Sequence, residues 1–191
     1  MRIYRAVAVA GLLVAVAPAA SQVTLSLNVW VPPAHPLVSQ MTLPYCKDIE
    51  AVTQGRVKCQ MLPKAVAAPP QTFDAVKDGL ADISFAVHGY TPGRFVLSDA
   101  VEFPLLGDTA EVTSVAYQRI YERMLAKFDE HKGVVTLAVF THGPGQIYSN
   151  KKALVAIRDF EGLKIRVGGG VVNDVTTALG AVPILKPASE V

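Results

Sequence analysis

The stretch Val23-Thr24-Leu25-Ser26-Leu27-Asn28-Val29-Trp30 alternates apolar and polar side chains, the period of a strand with one covered face. Pro32-Pro33 stops it. After His35-Pro36, Leu37, Met41, Tyr45, Ile49 and Val52 recur near helical spacing until Gly55 supplies a C-terminal stop. Val57 to Leu62 reads as a second strand. Gln71 to Leu80 reads as a helix behind Pro69-Pro70, with Phe73, Val76 and Leu80 on its apolar face, and Asp82 to Val87 as a third strand. Strands alternating with helices imply a parallel α/β sheet with right-handed crossovers. Ligands of such sheets sit beyond the carboxyl ends of the strands, which singles out the loops after Trp30, Leu62 and Val87.

Downstream, Thr109 to Phe128 predicts a long amphipathic helix that turns Val112, Val115, Ala116, Ile120 and Leu125 inward. Two strands are expected at 133–140 and 146–150, a turn with a short helical piece at 157–163, and a further strand at 164–167. Gly168-Gly169-Gly170 then opens a helix over 171–179, Gly180 ends it, and 181–185 begins another strand. Pro187-Ala188-Ser189-Glu190 resembles a helix start at the very end of the sequence, the pattern expected of a truncated gene or a fragment.

Apolar residues make up 51% of the 191 and charged residues 18%, enough to fill a core and too ordered a balance for a disordered chain. A net charge of +2 with no basic stripe argues against a nucleic-acid partner. Met1-Arg2-Ile3-Tyr4-Arg5, the apolar run Ala6 to Val16 and the small residues Ala17-Pro18-Ala19 together read as a secretory signal peptide over residues 1–19. The run is well short of the roughly 20 residues that span a bilayer, and no later segment is long and apolar enough to cross one, so a product soluble outside the cytoplasm is expected. Cys46 and Cys59 fall on the first helix and the second strand. In an exported chain they read either as a disulfide or as two small buried hydrophobes. Neither has the spacing of a metal ligand.

Arg166 stands on the apolar strand Ile165-Arg166-Val167, just before the glycine run, so its guanidinium would reach a strand mouth lined by backbone donors. A planar five-donor fork grips a carboxylate through two parallel hydrogen bonds. Gly168 to Gly170, with Gly169 at their centre, allow close backbone approach, and Asn173 follows in the first helical turn. His142 and Gln146 flank Gly143-Pro144-Gly145, His35 follows Trp30, and His88 precedes Tyr90 and Arg94, all at strand ends. No nucleophile elbow, metalloprotease or nucleotide-binding signature is present, so no catalytic residue, metal or cofactor is expected.

Several motifs, taken in order, resemble one family. They are Asn28-Val29-Trp30-Val31-Pro32-Pro33-Ala34-His35-Pro36, Thr53-Gln54-Gly55-Arg56-Val57, Asp74-Ala75-Val76-Lys77-Asp78-Gly79-Leu80-Ala81-Asp82-Ile83, Gly89-Tyr90-Thr91-Pro92-Gly93-Arg94-Phe95 and Phe160-Glu161-Gly162-Leu163-Lys164-Ile165-Arg166-Val167. Together they are similar to the extracytoplasmic solute receptors of tripartite ATP-independent periplasmic (TRAP) transporters. The resemblance implies a two-lobed periplasmic binding protein that closes on a small organic acid and delivers it to membrane subunits. On that reading residues 20–140 hold the first lobe, and 141–191 hold crossing strands and the start of an incomplete second lobe. The resemblance also makes Arg166 the partner of the substrate carboxylate, with Trp30 and Tyr90 as walls. It places Gln146 where the family often has a second arginine, which favours a monocarboxylate or 2-oxo acid over a dicarboxylate. The competing expectations are a periplasmic enzyme on the same scaffold and a non-functional truncated receptor.

Overall fold

Alternation around Leu25 and Leu27 builds strand β1 (Val23–Leu27), and a wide helical turn over Leu37–Thr42 leads into helix α1 (Leu43–Val52). The computed structural model describes residues 21–191, so the expected signal peptide at 1–19 lies outside the described residues. α1 ends where the sequence places its stop. Gly55 adopts a φ of +77°, and its N–H donates to the Glu50 carbonyl at 2.8 Å.

Strand β2 (Val57–Met61) lies parallel to β1, in register from Val23 opposite Val57 to Leu27 opposite Met61. Helix α2 (Thr72–Lys77) then returns the chain to the other edge of β1. There the expected third strand shrinks to a single parallel bridge, Leu27 to Ile83. The Asn28 N–H donates to Ile83 O at 2.8 Å, and beyond it side chains replace the ladder: Trp30 Nε1 donates to Phe85 O at 2.9 Å. Order across this layer is β2, β1, then residues 82–85.

Asn28 is the polar centre of that layer and is fully buried. Its Oδ1 accepts from Val66 N at 3.0 Å and its Nδ2 donates to Ser84 Oγ at 3.2 Å, fixing the segments that follow β2 and α2. Leu27 and Val38, at 1% and 0% exposure, pack the apolar interior beside it.

Helix α3 (Ala110–Ile120) starts at Thr109, whose hydroxyl accepts from Val112 N at 3.2 Å, and tighter or wider helical turns carry it through Phe128. The inward face differs from expectation: Val112, Val115 and Ile120 are exposed, and Tyr117 is buried instead. The reason lies in what the helix meets. Ser114 and Gln118 bind the backbone at Thr141 and Val139, and Tyr121 Oη donates to Thr136 Oγ1 at 3.0 Å, so a polar seam faces the following segment. That segment, 133–140, is extended but not a strand, and neither is 146–150. Among the described residues no neighbouring strand offers either one a ladder, and α3 side chains satisfy the first of them.

A second, separate sheet follows. Strand β3 (Lys164–Val167) pairs in parallel with β4 (Val182–Leu185), with helix α4 (Val171–Ala178) as the crossover. The last expected helix is a single turn over Ala188–Glu190. Among the described residues no helix is long and apolar enough to cross a membrane.

Replacing Asn28 by Ala leaves the Val66 N–H unpaired in the interior, a loss of about 1–3 kcal/mol. Urea unfolding followed by circular dichroism should show that loss as a lowered midpoint with an unchanged slope.

Candidate functional site

The two sheets meet at Tyr90. Its ring is 7% exposed and packs edge-on against Trp30, with ring centroids 5.9 Å apart, while Trp30 leans on Phe85 at 5.1 Å. Its hydroxyl reaches the second sheet, accepting from Ala188 N at 2.8 Å and from Arg166 Nη2 at 3.4 Å. One side chain therefore touches both layers.

Arg166 leaves β3 on its exposed side and is aimed by the backbone. Nε and Nη2 donate to Lys186 O at 2.8 and 2.6 Å, which turns the guanidinium toward Tyr90. Among the described residues no carboxylate pairs with it, since the ion pairs are Lys58 with Glu50 and Arg94 with Asp74. Trp30, Tyr90 and Arg166 thus form one connected row, two buried aromatic rings ending in an oriented, exposed cation.

The glycine run has a different local cause from the one read in the sequence. A Cβ on Gly169 would collide with the Gly89 carbonyl, so the two backbones can approach here only because both residues lack side chains. A Cβ on Gly170 would collide with Glu102. The Glu102 carboxylate accepts from Val171 N at 3.1 Å and so occupies the start of α4, where the sequence places ligand donors. Burial raises the Glu102 carboxyl above its ordinary value, against the lowering effect of the Val171 N–H, with Asp99 raising it and His142 lowering it further. Asn173 lies within α4, its N–H bonded to Gly170 O at 3.0 Å.

The remaining candidates are dispersed. Arg94 makes a two-pronged pair with Asp74 at 2.7 and 3.0 Å and lies over the Phe73 ring, away from Arg166. His35 caps its own loop by accepting from Leu37 N at 3.2 Å, and exposed His142 meets Gly143 O at 2.6 Å. Gln146 lines an open depression with Ser149, Lys152 and Phe160, with no hydrogen bond to Arg166.

His88 points inward. It stacks on Phe95 at 4.2 Å, and its Nε2 lies 3.0 Å from His131 Nε2. His131 Nδ1 has no partner in a buried setting, whereas His88 Nδ1 lies 3.4 Å from Tyr117 Oη. The bonding network therefore assigns the shared proton to His131, which donates to His88, while His88 Nδ1 donates to Tyr117; the group left over is then a lone pair rather than a costlier N–H. His131 and Glu102 escape sequence reasoning, since no local pattern announces a contact 43 or 69 residues away.

A family profile described as bacterial extracellular solute-binding protein, family 7, matches residues 27–191. The chain is similar to a TRAP periplasmic solute-binding protein from Bordetella bronchiseptica solved with bound (R)- and (S)-mandelate. The two share 49% identity at a TM-score of 0.85, over 87% of this chain and 53% of that one. It is also similar to a marine metagenome TRAP protein in complex with 3-hydroxybenzoate, at 32% identity and a TM-score of 0.82, over 87% of this chain and 52% of that one. A curated relative, outer membrane transporter protein TsaT of Comamonas testosteroni, is 32% identical over 180 residues, 93% of this chain and 53% of its own length. The chain spans about half the length of the relatives it matches.

Burial first, and then the charge of His131, push the His88 imidazole down to about 4, with Glu130 opposing. An unfolded histidine takes up a proton near pH 6.5, so the unfolded state binds more protons between that value and about 4. Stability should be full above pH 6.5 and fall as pH drops through this window, by on the order of 2–3 kcal/mol. Thermal unfolding of a His88→Gln variant across that range should show a flatter acid limb than the parent.

Proposed function

We propose a function from one premise: the chain belongs to the bacterial extracellular solute-binding protein family 7. Its family and its structural neighbours are binding proteins, and the neighbours are periplasmic. On that premise the protein is a periplasmic receptor for a small aromatic monocarboxylate, which it hands unchanged to the membrane subunits of a TRAP-type transporter.

The observation that carries this reading is the orientation of Arg166. Lys186 O and the Tyr90 hydroxyl hold its guanidinium at the end of the Trp30–Tyr90 pair, and among the described residues no protein carboxylate pairs with it. An arene carboxylate complements that edge in both halves: its charge meets the fork, and its ring meets the walls, where an edge-to-face pair adds about 0.5–1.5 kcal/mol. The ligands of the similar proteins, mandelate and 3-hydroxybenzoate, are acids of this kind. Gln146, where the family resemblance often has a second arginine, carries no charge for a second carboxylate. Turnover has no support in the arrangement, and a receptor returns its acid unaltered.

Calorimetric titration with benzoate, 3-hydroxybenzoate and mandelate, alongside succinate and benzamide as controls, tests this directly. The aromatic acids should bind, the dicarboxylate and the neutral amide should bind more weakly, and mass spectrometry should recover the acid intact. With the pair buried by the bound acid, Arg166→Ala should lose about 2–5 kcal/mol of affinity, and Arg166→Lys should restore only part, because an ammonium cannot reproduce the fork. Equal affinity for benzoate and benzamide would remove the carboxylate from the account.

A further inference from the structure

Cys46 and Cys59 play no part in the site around Arg166, yet the fold brings them together. The turn at Gly55 reverses the chain between α1 and β2. Across that turn α1 packs directly against β2. Cys46 lies one helical turn before Glu50, on the face of α1 that Lys58 reaches, and Lys58 is the chain neighbour of Cys59. Cys59 lies close enough to Cys46 to raise its thiol, and both lie close enough to Tyr45 to raise its phenol. An ion pair from Lys58 Nζ to Glu50 Oε1, 3.2 Å long, crosses from the same strand to the same helix and holds that register. Both residues are reduced and only half-buried, so an oxidant can reach them.

We propose that Cys46 and Cys59 are a modification site, oxidised in the periplasm to a disulfide that staples α1 to β2. The oxidant is an exogenous protein or peptide disulfide. One cysteine thiolate attacks an oxidant sulfur and expels a thiolate, and the second cysteine thiolate then displaces the remaining oxidant sulfur. Two protons and two electrons leave the protein, one S–S bond forms in it, and the oxidant's S–S bond becomes two thiols. Burial first, then its contact with Cys59, pushes the Cys46 thiol up to about 12. It is a poor nucleophile while the fold is closed, which suits a structural staple rather than an exchanging redox centre. The crosslink does not depend on which ligand the protein binds.

The test refolds the reduced full chain from urea in the presence of oxidised glutathione. Intact mass should fall by two hydrogens, and a non-reducing peptide map should join the Cys46 and Cys59 peptides. The melting temperature should rise by about 5–10 °C over the same protein under reductant. Cys46→Ala with Cys59→Ala should melt alike in both conditions, near the reduced parent, which separates loss of the crosslink from loss of the fold. Stable glutathione adducts, unreacted thiols, or a bond between two chains would each overturn the proposal.

Discussion

The Tyr90 hydroxyl is where the two sheets become one structure. It accepts from the Ala188 backbone, 98 residues away in sequence, while its ring lies on Trp30. Without that bridge Arg166 would still sit on β3, but its direction relative to the aromatic walls would not be defined. The close approach of Gly89 and Gly169 works beside it, because it lets the backbone after residue 87 lie against the start of α4. Glu102 completes the junction by giving the helix N-terminus a half-buried carboxylate from its own chain.

That internal carboxylate shifts the electrostatic reading of the site. A helix start is a general anion seat, and here the protein occupies it itself, so in the proposed function the charge left for a ligand is the guanidinium of Arg166. The two groups differ in kind. The Val171 N–H is matched by a fixed internal acceptor, whereas Arg166 is oriented by neutral oxygens of Lys186 and Tyr90 and, among the described residues, has no carboxylate partner. Fixing the direction of the guanidinium before a ligand arrives lowers the entropic cost of gripping a carboxylate.

Much of this architecture was legible in sequence because it is local. Alternation located β1 and β2, helical spacing located α1 and α3, and Gly55 and Gly180 marked helix ends. The parallel pairing followed from the strand and helix alternation. What failed was partnership. The apolar run 133–140 reads like a strand, but its neighbours are Ser114, Gln118 and Tyr121 of α3, and local pattern does not name a neighbour. The third strand is cut short because Asn28 and Trp30 spend side-chain hydrogen bonds where a ladder was expected. In the site, the place of Arg166 on a strand before a glycine run was readable. The Asp74 partner of Arg94 and the inward turn of His88 were not, since each depends on a contact made only after the chain has folded.

The most direct measurement uses Trp30, the single tryptophan in the chain, which lies against Tyr90 at the proposed binding edge. Its emission would be followed as benzoate is added to the parent and to Arg166→Ala, with benzamide as the neutral counterpart. The account predicts a saturable change with benzoate in the parent, a far weaker one with benzamide, and almost none in the variant at the same concentrations. A benzoate response that is unchanged in Arg166→Ala, or matched by benzamide, would contradict it.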